Sequence, residues 1–309
     1  MAVQFTRIDL TAYPVDEGRR GQLHQGFCQS GPLDPYAFML ANALCGQQSG
    51  TAIEFIGALE CEFQHPALIS ITGAAAEITL DGQLQLPWQS LRVERGQRLV
   101  VQPARLGSKH YLAIAGGFDF PTATGSACLV RREKQGGLHG DGTPLQVGDI
   151  IRSLPPGNGA IPGELPVWLM PDYQEAVNIG LVHGYQHQWL SSLQWQRLYS
   201  SEYTLTPQVD RMGYRLTGTA ISLPEQALYS EAIALGAMQI PPDGQPIVMM
   251  ADRQTLGGYP KAGTVARCDL NHFAQCIPGD KITFYQLDAD EARARWLLKL
   301  SAIKRWLSH

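Results

Sequence analysis

Glycine and proline interrupt this chain so often that its apolar segments are short, which favours strands over long helices. The 309 residues include 32 glycines and 20 prolines, the two residue types that fit tight turns and end helices. Residues 77–80 lead into Asp81-Gly82, a dipeptide typical of two-residue hairpin turns. Between residues 50 and 120 no segment has convincing helical periodicity. The sequence therefore predicts a mainly β protein with a few helices.

The first half contains one well-marked helix among its predicted strands. Asp34 is a suitable N-cap, Pro35 occupies the position where a helix tolerates proline best, and Gly46 is a plausible end. The predicted strands share short apolar or alternating patterns, and they are residues 5–10, 52–56, 59–63, 68–72, 77–80, 91–93, 98–101 and 111–115.

A stretch rich in proline and glycine, residues 154–166, predicts a domain boundary, with domains at 1–160 and 161–309. In the second half we expect a helix near 185–198 and strands at 214–217, 233–240, 247–250, 263–266 and 281–285. Asp288 and Glu291 have the spacing of a capping box and begin an amphipathic C-terminal helix, which we expect to pack on the second domain.

A weak internal echo is consistent with two similar halves. Residues 96–101, 148–151 and 279–284 each begin with a turn glycine and continue into a strand. Many barrel strands begin this way, so duplication and coincidence explain the echo equally well.

Charge and composition exclude several classes of protein. With 24 basic and 28 acidic residues the formal charge is −4, which provides no positive field for nucleic acid or anionic lipid. No apolar segment approaches the roughly 20 residues that span a bilayer, and the start lacks the features of a signal peptide. The six cysteines have no CxxC spacing. We therefore expect a cytoplasmic protein with reduced thiols, no membrane association and no zinc site.

Familiar catalytic motifs are missing from the chain. It has no phosphate loop of the GxxxxGK[ST] type, no GxGxxG after a strand, no GxSxG elbow and no HExxH. His183 and His187 are four residues apart, but no third ligand has a useful spacing, so we predict no metal site.

The densest polar cluster follows the apolar residues 247–250. Its candidate site residues are Asp252, Arg253, Gln254, Thr255, Gly257, Gly258, Tyr259 and Lys261. Arg253 and Lys261 suit a carboxylate or a phosphate, and Asp252 can orient Arg253 or act as a base. Glycines let a ligand approach the backbone closely. A solvated turn with an internal salt bridge explains the same cluster equally well.

Other polar residues give weaker signals. Arg211, in the segment 210–215, can line the same rim or form a structural pair, and Gln245 lies in a turn from which it can face a ligand. Asp34 is more simply a helix cap than a catalytic acid. Glu54 lies in an apolar strand, so it either faces solvent or has a specific role, because an unpaired buried carboxylate is costly.

Four longer segments carry a family resemblance. They are residues 233–248 continuing through 251–261, residues 210–216, the group Gly18, Arg19, Gly21, Gly31, Leu33, Asp34, Ala41 and Asn42, and residues 113–119. In these segments the chain resembles the allophanate hydrolase subunit 2 family, and the resemblance extends from about residue 18 to residue 287. This family is also described as the C subunit of 5-oxoprolinase, as biotin-dependent carboxyltransferase-domain proteins, or as Kip-type antagonists.

The resemblance implies two cyclophilin-like β-barrel domains in tandem, a carboxyltransferase A-type domain and then a B-type domain. It also implies a component of an ATP-dependent 5-oxoprolinase that acts with two partners. These are a subunit 1 homologue, of the kind found as the B subunit of 5-oxoprolinase or as the Kip inhibitor, and a third protein that resembles the A subunit of 5-oxoprolinase. ATP with magnesium would serve the complex, and this chain would carry no covalently attached biotin.

The resemblance also implies roles for the candidate residues. Arg211, Arg253 and Lys261 would hold anions, and Asp252, Gln254 and Thr255 would orient the reacting groups. Arg19, Asp34, Gln245, Gly257, Gly258 and Tyr259 would contribute to binding of substrate or phosphate.

The sequence departs from the family pattern at residues 15–17, 125–129 and 183–185, which leaves the substrate open. Two alternatives therefore remain. One is a regulatory protein that sequesters a subunit 1 homologue, and the other is a carboxyltransferase module that acts on a biotinylated carrier.

Overall fold

A computed structural model describes residues 2–159, 164–224 and 228–308. The chain divides into two compact units. The first comprises Met1–Arg20, Ser30–Tyr173 and Ile303–His309, and the second comprises Gly21–Gln29 and Gln174–Ala302. The domain boundary predicted between residues 160 and 161 lies outside the described residues.

The first unit is built from two antiparallel sheets. Its strands are β1 (Ala2–Ile8), β2 (Thr11–Val15), β3 (Ala52–Ile56), β4 (Leu59–Phe63), β5 (Ala67–Ala75), β6 (Ile78–Leu80), β7 (Gln83–Gln85), β8 (Ser90–Val93), β9 (Arg98–Val101), β10 (Leu106–Ile114) and β11 (Ile150–Arg152). The six-stranded sheet has the order β11-β1-β4-β9-β6-β7, and the five-stranded sheet has the order β2-β3-β10-β5-β8. Alternate side chains of both sheets, among them Phe5, Phe55 and Leu112, form one buried core.

Helix α1 (Pro35–Leu44) begins and ends where the sequence predicts. Asp34 Oδ1 accepts a hydrogen bond from the backbone N–H of Ala37 at 3.0 Å, so the N-cap is confirmed. The hydroxyl groups of Ser70 and Thr72, on β5, donate to backbone carbonyls of the helix at 2.7 and 2.8 Å. These bonds fix the helix on the five-stranded sheet.

A buried hydrogen-bond network holds the segment that leads into α1. The Glu54 carboxylate accepts from the backbone N–H of Leu33 at 2.8 Å and from the Tyr111 hydroxyl at 2.7 Å. The same hydroxyl accepts from the backbone N–H of Asp34 at 2.7 Å. Burial, and then the nearby charge of Glu54, raises the pKa of Tyr111 well above its ordinary value. Glu54 is therefore buried, and its role is to position the start of the helix.

The second unit contains a closed barrel. The strands of this unit are β12 (Val177–His183), β13 (Tyr203–Val209), β14 (Gly213–Thr217), β15 (Glu231–Ala232), β16 (Ala237–Gln239), β17 (Ile247–Met249), β18 (Leu256–Gly257), β19 (Lys261–Val265) and β20 (Lys281–Gln286). The barrel order is β12-β19-β16-β17-β14-β13-β20, and it closes through a parallel pairing of β12 with β20. Strands β15 and β18 form a separate two-stranded sheet. The predicted mainly β fold with barrel architecture is thus confirmed.

The helices of the second unit differ in part from the prediction. The helix expected at 185–198 is divided into a 3-10 helix, Tyr185–Trp189, and helix α2 (Ser192–Ser200), because Leu190 is extended and the Ser191 side chain caps a new helix. Helix α3 (Arg267–Gln275) was not predicted. Its N-cap, Ala266, has no capping side chain, so the sequence lacked a start signal.

The C-terminal helix α4 (Ala289–Leu307) confirms the predicted amphipathic segment. Asp288 Oδ1 accepts from the backbone N–H groups of Asp290 and Glu291 at 2.8 and 3.4 Å. Ala292 and Trp296 belong to a cluster that also contains Ala266, Cys268 and Leu287 in the second unit. Among the described residues, no helix is both long enough and apolar enough to cross a membrane.

His110, in β10, is fully buried and stacks on Phe55 with ring centroids 4.9 Å apart. Burial lowers its pKa to about 4. The unfolded chain binds more protons than the folded chain between pH 6.5 and 4, so this residue costs stability as the pH falls through that range. We expect about 3 kcal/mol to be lost in this way.

His110→Phe should remove this component, so the free energy of unfolding should depend less on pH between 6.5 and 4. Urea titrations at several pH values measure this, with the exposed His65→Phe as the matched control. Identical pH profiles for His110→Phe and the parent protein would contradict a neutral buried imidazole.

Tyr111→Phe should lower the free energy of unfolding by roughly 2 kcal/mol, because the buried Glu54 carboxylate loses a donor and Asp34 N–H loses an acceptor. Chemical denaturation compared with Tyr185→Phe, whose side chain is exposed, isolates the effect. Equal stability of the two variants would show that the network does not hold the helix start.

Candidate functional site

The two polar segments that the sequence singled out are joined by an ion pair. Arg211 Nε and Nη2 donate to the two carboxylate oxygens of Asp252 at 2.8 and 3.0 Å. The backbone N–H of Asp252 also donates to the Arg211 carbonyl at 2.8 Å. Only 11% of the Arg211 side chain and 8% of the Asp252 side chain are exposed. This two-pronged geometry fixes the segment after β17 against the segment before β14.

Arg253 is 4% exposed, and it organises the loop after β17. Its Nε donates to the carbonyl of Ile233 at 2.9 Å, and its Nη1 lies 3.4 and 3.5 Å from the carbonyls of Met250 and Ala251. Burial lowers the pKa of the Arg253 guanidinium, although the nearby charge of Asp252 opposes this. Its role as an anion holder remains a prediction.

Lys261, at the start of β19, is also engaged within the second unit. Its Nζ lies 2.7 Å from Glu231 Oε1, an oxygen that also accepts from Gln186 Nε2. The hydrogen bond from Lys261 is the main cause of a lowered pKa for Glu231. The charge of Lys261 is therefore compensated by a carboxylate in this structure.

A cleft of about 520 Å³ lies on the outside of the barrel. We call it the Gln239 cleft, and its lining includes Asp210, Arg215, Gln239, Met249, Gln254 and Tyr259. Two predicted site residues, Gln254 and Tyr259, thus share one cleft with residues of the segment 210–215.

The strand register explains which side chains reach the Gln239 cleft. Gln239 on β16 is opposite Ile247 on β17, and Ile247 is opposite Arg215 on β14. Residues directly opposite in a sheet project from the same face, so these three side chains form a row about 10 Å across. The neighbouring row of Met238, Val248 and Tyr214 is buried on the core side.

A second pocket, of about 670 Å³, adjoins the predicted segment. Its walls include Pro241, Pro242, Asp243, Gly258 and Tyr259. Tyr259 is 46% exposed and lines both cavities. Asp243, in the wall of this pocket, forms an ion pair with Arg215 of the Gln239 cleft.

Three other predicted residues have structural contacts. Gln245 exchanges hydrogen bonds with the backbone of Gly218 at 2.8 and 3.2 Å. The Thr255 carbonyl accepts from the backbone N–H of Ile233 at 3.0 Å. A Cβ on Gly257 would stand 2.5 Å from Ile233 Cδ1 and 3.0 Å from Gln239 Nε2. A larger residue at position 257 would therefore displace the Ile233 or Gln239 side chain.

The remaining two predicted residues, Arg19 and Asp34, belong to the first unit. The Arg19 side chain is fully buried; its Nη2 donates to the Cys128 carbonyl at 2.8 Å and its Nη1 lies 3.4 Å from Glu133. Asp34 caps α1, and its second oxygen accepts from the Tyr173 hydroxyl at 2.7 Å.

The histidine pair packs into an aromatic stack. His183 lies 3.9 Å from Trp195 and 5.9 Å from His187, measured between ring centroids. His183 Nε2 is 2.8 Å from the Tyr199 hydroxyl. Across the part of the chain that the structure describes, no group of three or more His, Cys, Asp or Glu residues has a geometry that could hold a metal ion.

Sequence reasoning missed Gln239 and did not select Arg215 within its segment. A signal for Gln239 was present, since it is the one polar side chain in residues 233–240. No sequence pattern placed it in the same cleft as Gln254. The pairing of β16 with β17 sets Gln239 opposite Ile247, another residue of the cleft lining.

Comparison with known proteins finds relatives that match most of the chain. The Escherichia coli K12 protein named as the C subunit of 5-oxoprolinase is 32% identical over 284 residues, which cover 90% of this chain and 88% of the relative. The Haemophilus influenzae protein of that name is 33% identical over 282 residues, with the same coverage.

Solved structures show the same fold. Kluyveromyces lactis urea amidolyase matches 99% of this chain with a TM-score of 0.93 at 24% identity, over 20% of its own length. A family model described as carboxyltransferase domain, subdomain A and B, matches residues 25–286. The chain therefore belongs to the carboxyltransferase domain family.

Proposed function

We propose that this chain is a subunit of an ATP-dependent hydrolase complex that opens 5-oxoproline to glutamate. The observation that carries the proposal is the Gln239 cleft, into which the barrel brings Gln254 and Tyr259 from the predicted site. The two relatives named as the C subunit of 5-oxoprolinase match across nine tenths of the chain and add support.

The chemistry explains why ATP is needed. Resonance stabilises a lactam against water, and transfer of the γ-phosphoryl group of ATP to the lactam oxygen makes the carbonyl carbon more electrophilic. Water adds to that carbon and the ring C–N bond breaks, which leaves an amine and an acyl phosphate, and a second water releases phosphate from the acyl phosphate. The balanced reaction consumes 5-oxoproline, ATP and two water molecules and yields glutamate, ADP and phosphate. In this scheme Gln254 and Tyr259 hydrogen-bond to the organic substrate and orient it, which lowers the entropic part of the barrier.

The Gln239 cleft does not fit ATP itself. Stabilising a transferring phosphoryl group calls for several cations, usually with magnesium. Of the cleft residues named above, Arg215 is the only cation, and Asp243 already pairs with it. We therefore assign the binding of ATP and magnesium to another part of the complex.

The proposed complex contains a subunit 1 homologue, equivalent to the B subunit of 5-oxoprolinase or to the Kip inhibitor, and a third protein equivalent to the A subunit of 5-oxoprolinase. The two relatives are each named as one subunit of an enzyme, which implies further subunits. We place the complex in the cytoplasm, where ATP is supplied, and the six buried free cysteines are consistent with that compartment.

A second candidate function is a carboxyltransferase module that acts on a carrier protein. The family description, carboxyltransferase domain, favours it, as does a match to Saccharomyces cerevisiae urea amidolyase at 28% identity over 90% of this chain. That match covers only 16% of the yeast protein. Under this alternative 5-oxoproline would not stimulate ATP hydrolysis.

The test is phosphate and glutamate release by the chain co-purified with its two partner subunits. We expect 5-oxoproline to stimulate both, and Gln254→Ala to lower kcat/KM by about tenfold because one substrate contact is lost. Gln85→Ala, on the exposed strand β7, is the control. A stable complex that 5-oxoproline does not stimulate would exclude this substrate.

Arg253→Lys distinguishes a structural role for Arg253 in its loop from a role in holding an anion. Lysine keeps the charge but cannot reproduce contacts with three carbonyls, so we expect about 2 kcal/mol lower stability with little change in KM for the complex that remains folded. Denaturation and steady-state kinetics measure the two effects. A raised KM at unchanged stability would instead support Arg253 as an anion holder.

A further inference from the structure

The Gln239 side chain is buried, and its amide nitrogen is unsatisfied. Gln239 is 2% exposed, and its Nε2 has no hydrogen-bond partner among the described residues. Leaving a buried amide group unpaired costs roughly 1–3 kcal/mol. Its neighbours include Ile247, directly opposite on β17, and Gly257, so a leucine of nearly the same shape would fit this apolar environment better. A polar group kept at such a cost in the wall of a cleft calls for a ligand.

A carboxamide suits one kind of ligand particularly well. It presents a carbonyl and an N–H side by side, and a cis amide presents the complementary pair. The two groups can form two parallel hydrogen bonds, as amide dimers do. Ordinary amides are trans, but the ring of a lactam forces the cis form.

Arg215 supplies a cation on the same face of the sheet. It lies two strands from Gln239, about 10 Å between backbones, with Ile247 between them. Its side chain is 27% exposed and pairs with Asp243. A guanidinium has five N–H donors, so it can hold a ligand carboxylate in addition to Asp243. Asp210 in the same cleft disfavours more highly charged anions such as phosphate.

We propose that the Gln239 cleft binds a cyclic cis amide that carries one carboxylate, with Gln239 as the specificity-determining residue for the amide and Arg215 for the carboxylate. The inference rests on the proposed function for the choice of 5-oxoproline as the ligand. The binding site itself requires no turnover, so the two proposals can fail separately.

The test is calorimetric titration of the full chain, alone and with its partner subunits, with three probes. These are 5-oxoproline, 2-pyrrolidinone, which lacks the carboxylate, and proline, which lacks the lactam carbonyl. We expect 5-oxoproline to bind about tenfold or more tightly than either analogue, since each analogue loses one anchoring contact.

Gln239→Leu should weaken 5-oxoproline binding by about tenfold, leave proline binding unchanged, and keep or raise Tm. Arg215→Gln should weaken 5-oxoproline binding to the level of 2-pyrrolidinone without affecting 2-pyrrolidinone itself. The matched controls are Gln85→Leu and Arg105→Gln in the first unit, where Gln85 is half-buried and Arg105 is exposed. A gain in Tm together with a loss of binding is a result that a purely structural glutamine would not give.

Several outcomes overturn the inference. One is an unchanged affinity of Gln239→Leu for 5-oxoproline. Another is a lowered Tm of Gln239→Leu together with an equal loss of binding affinity for all three probes. A third is the absence of lactam binding to both the chain and the complex. If 5-oxoproline still stimulates ATP hydrolysis in a Gln239→Leu complex at parental KM, the proposed function stands and the inference falls. If the parent binds 5-oxoproline through Gln239 but no complex turns it over, the inference stands and the proposed function falls.

Discussion

The antiparallel register of β16, β17 and β14 is the constraint on which the candidate site depends. Because side chains alternate between the two faces of a strand, a slip of one residue would turn Gln239 and Arg215 toward the core and expose Met238 and Tyr214. Burying a guanidinium in an apolar core without a partner is prohibitive, so the core and the cleft specify the same register. The hydrophobic pattern of the barrel thereby also positions its polar outer wall.

The charged residues near the cleft mostly have hydrogen-bond partners within the second unit. Arg211 pairs with Asp252, Lys261 pairs with Glu231, and Arg253 donates to backbone carbonyls. These contacts hold the loops between strands in place. Amide and hydroxyl groups therefore remain as polar groups of the Gln239 cleft, accompanied by the Arg215–Asp243 pair. In the function that we propose, hydrogen-bond geometry at these groups contributes more to recognition of a small polar molecule than net charge does.

Local signals explain why parts of the fold could be predicted. Strands β3, β4 and β9 have the predicted bounds, and α1 begins after its N-cap as expected. Asp81 and Gly82 both have positive φ, 49° and 78°, as the hairpin turn requires. Helix α3 was not predicted because no capping signal precedes it. The helix expected at 185–198 was wrong in its extent because Ser191 caps a new helix within that segment.

The sequence by itself determined the fold class, the first helix, the family resemblance and the segments from which the site is built. Those depend on interactions between residues close along the chain, or on long runs of specific residues. Only the tertiary structure decided which polar groups pair internally and which face a cleft. Gln239 and Gln254 line the same cleft because the tertiary fold brings together segments that the sequence separates, and no local pattern encodes that arrangement.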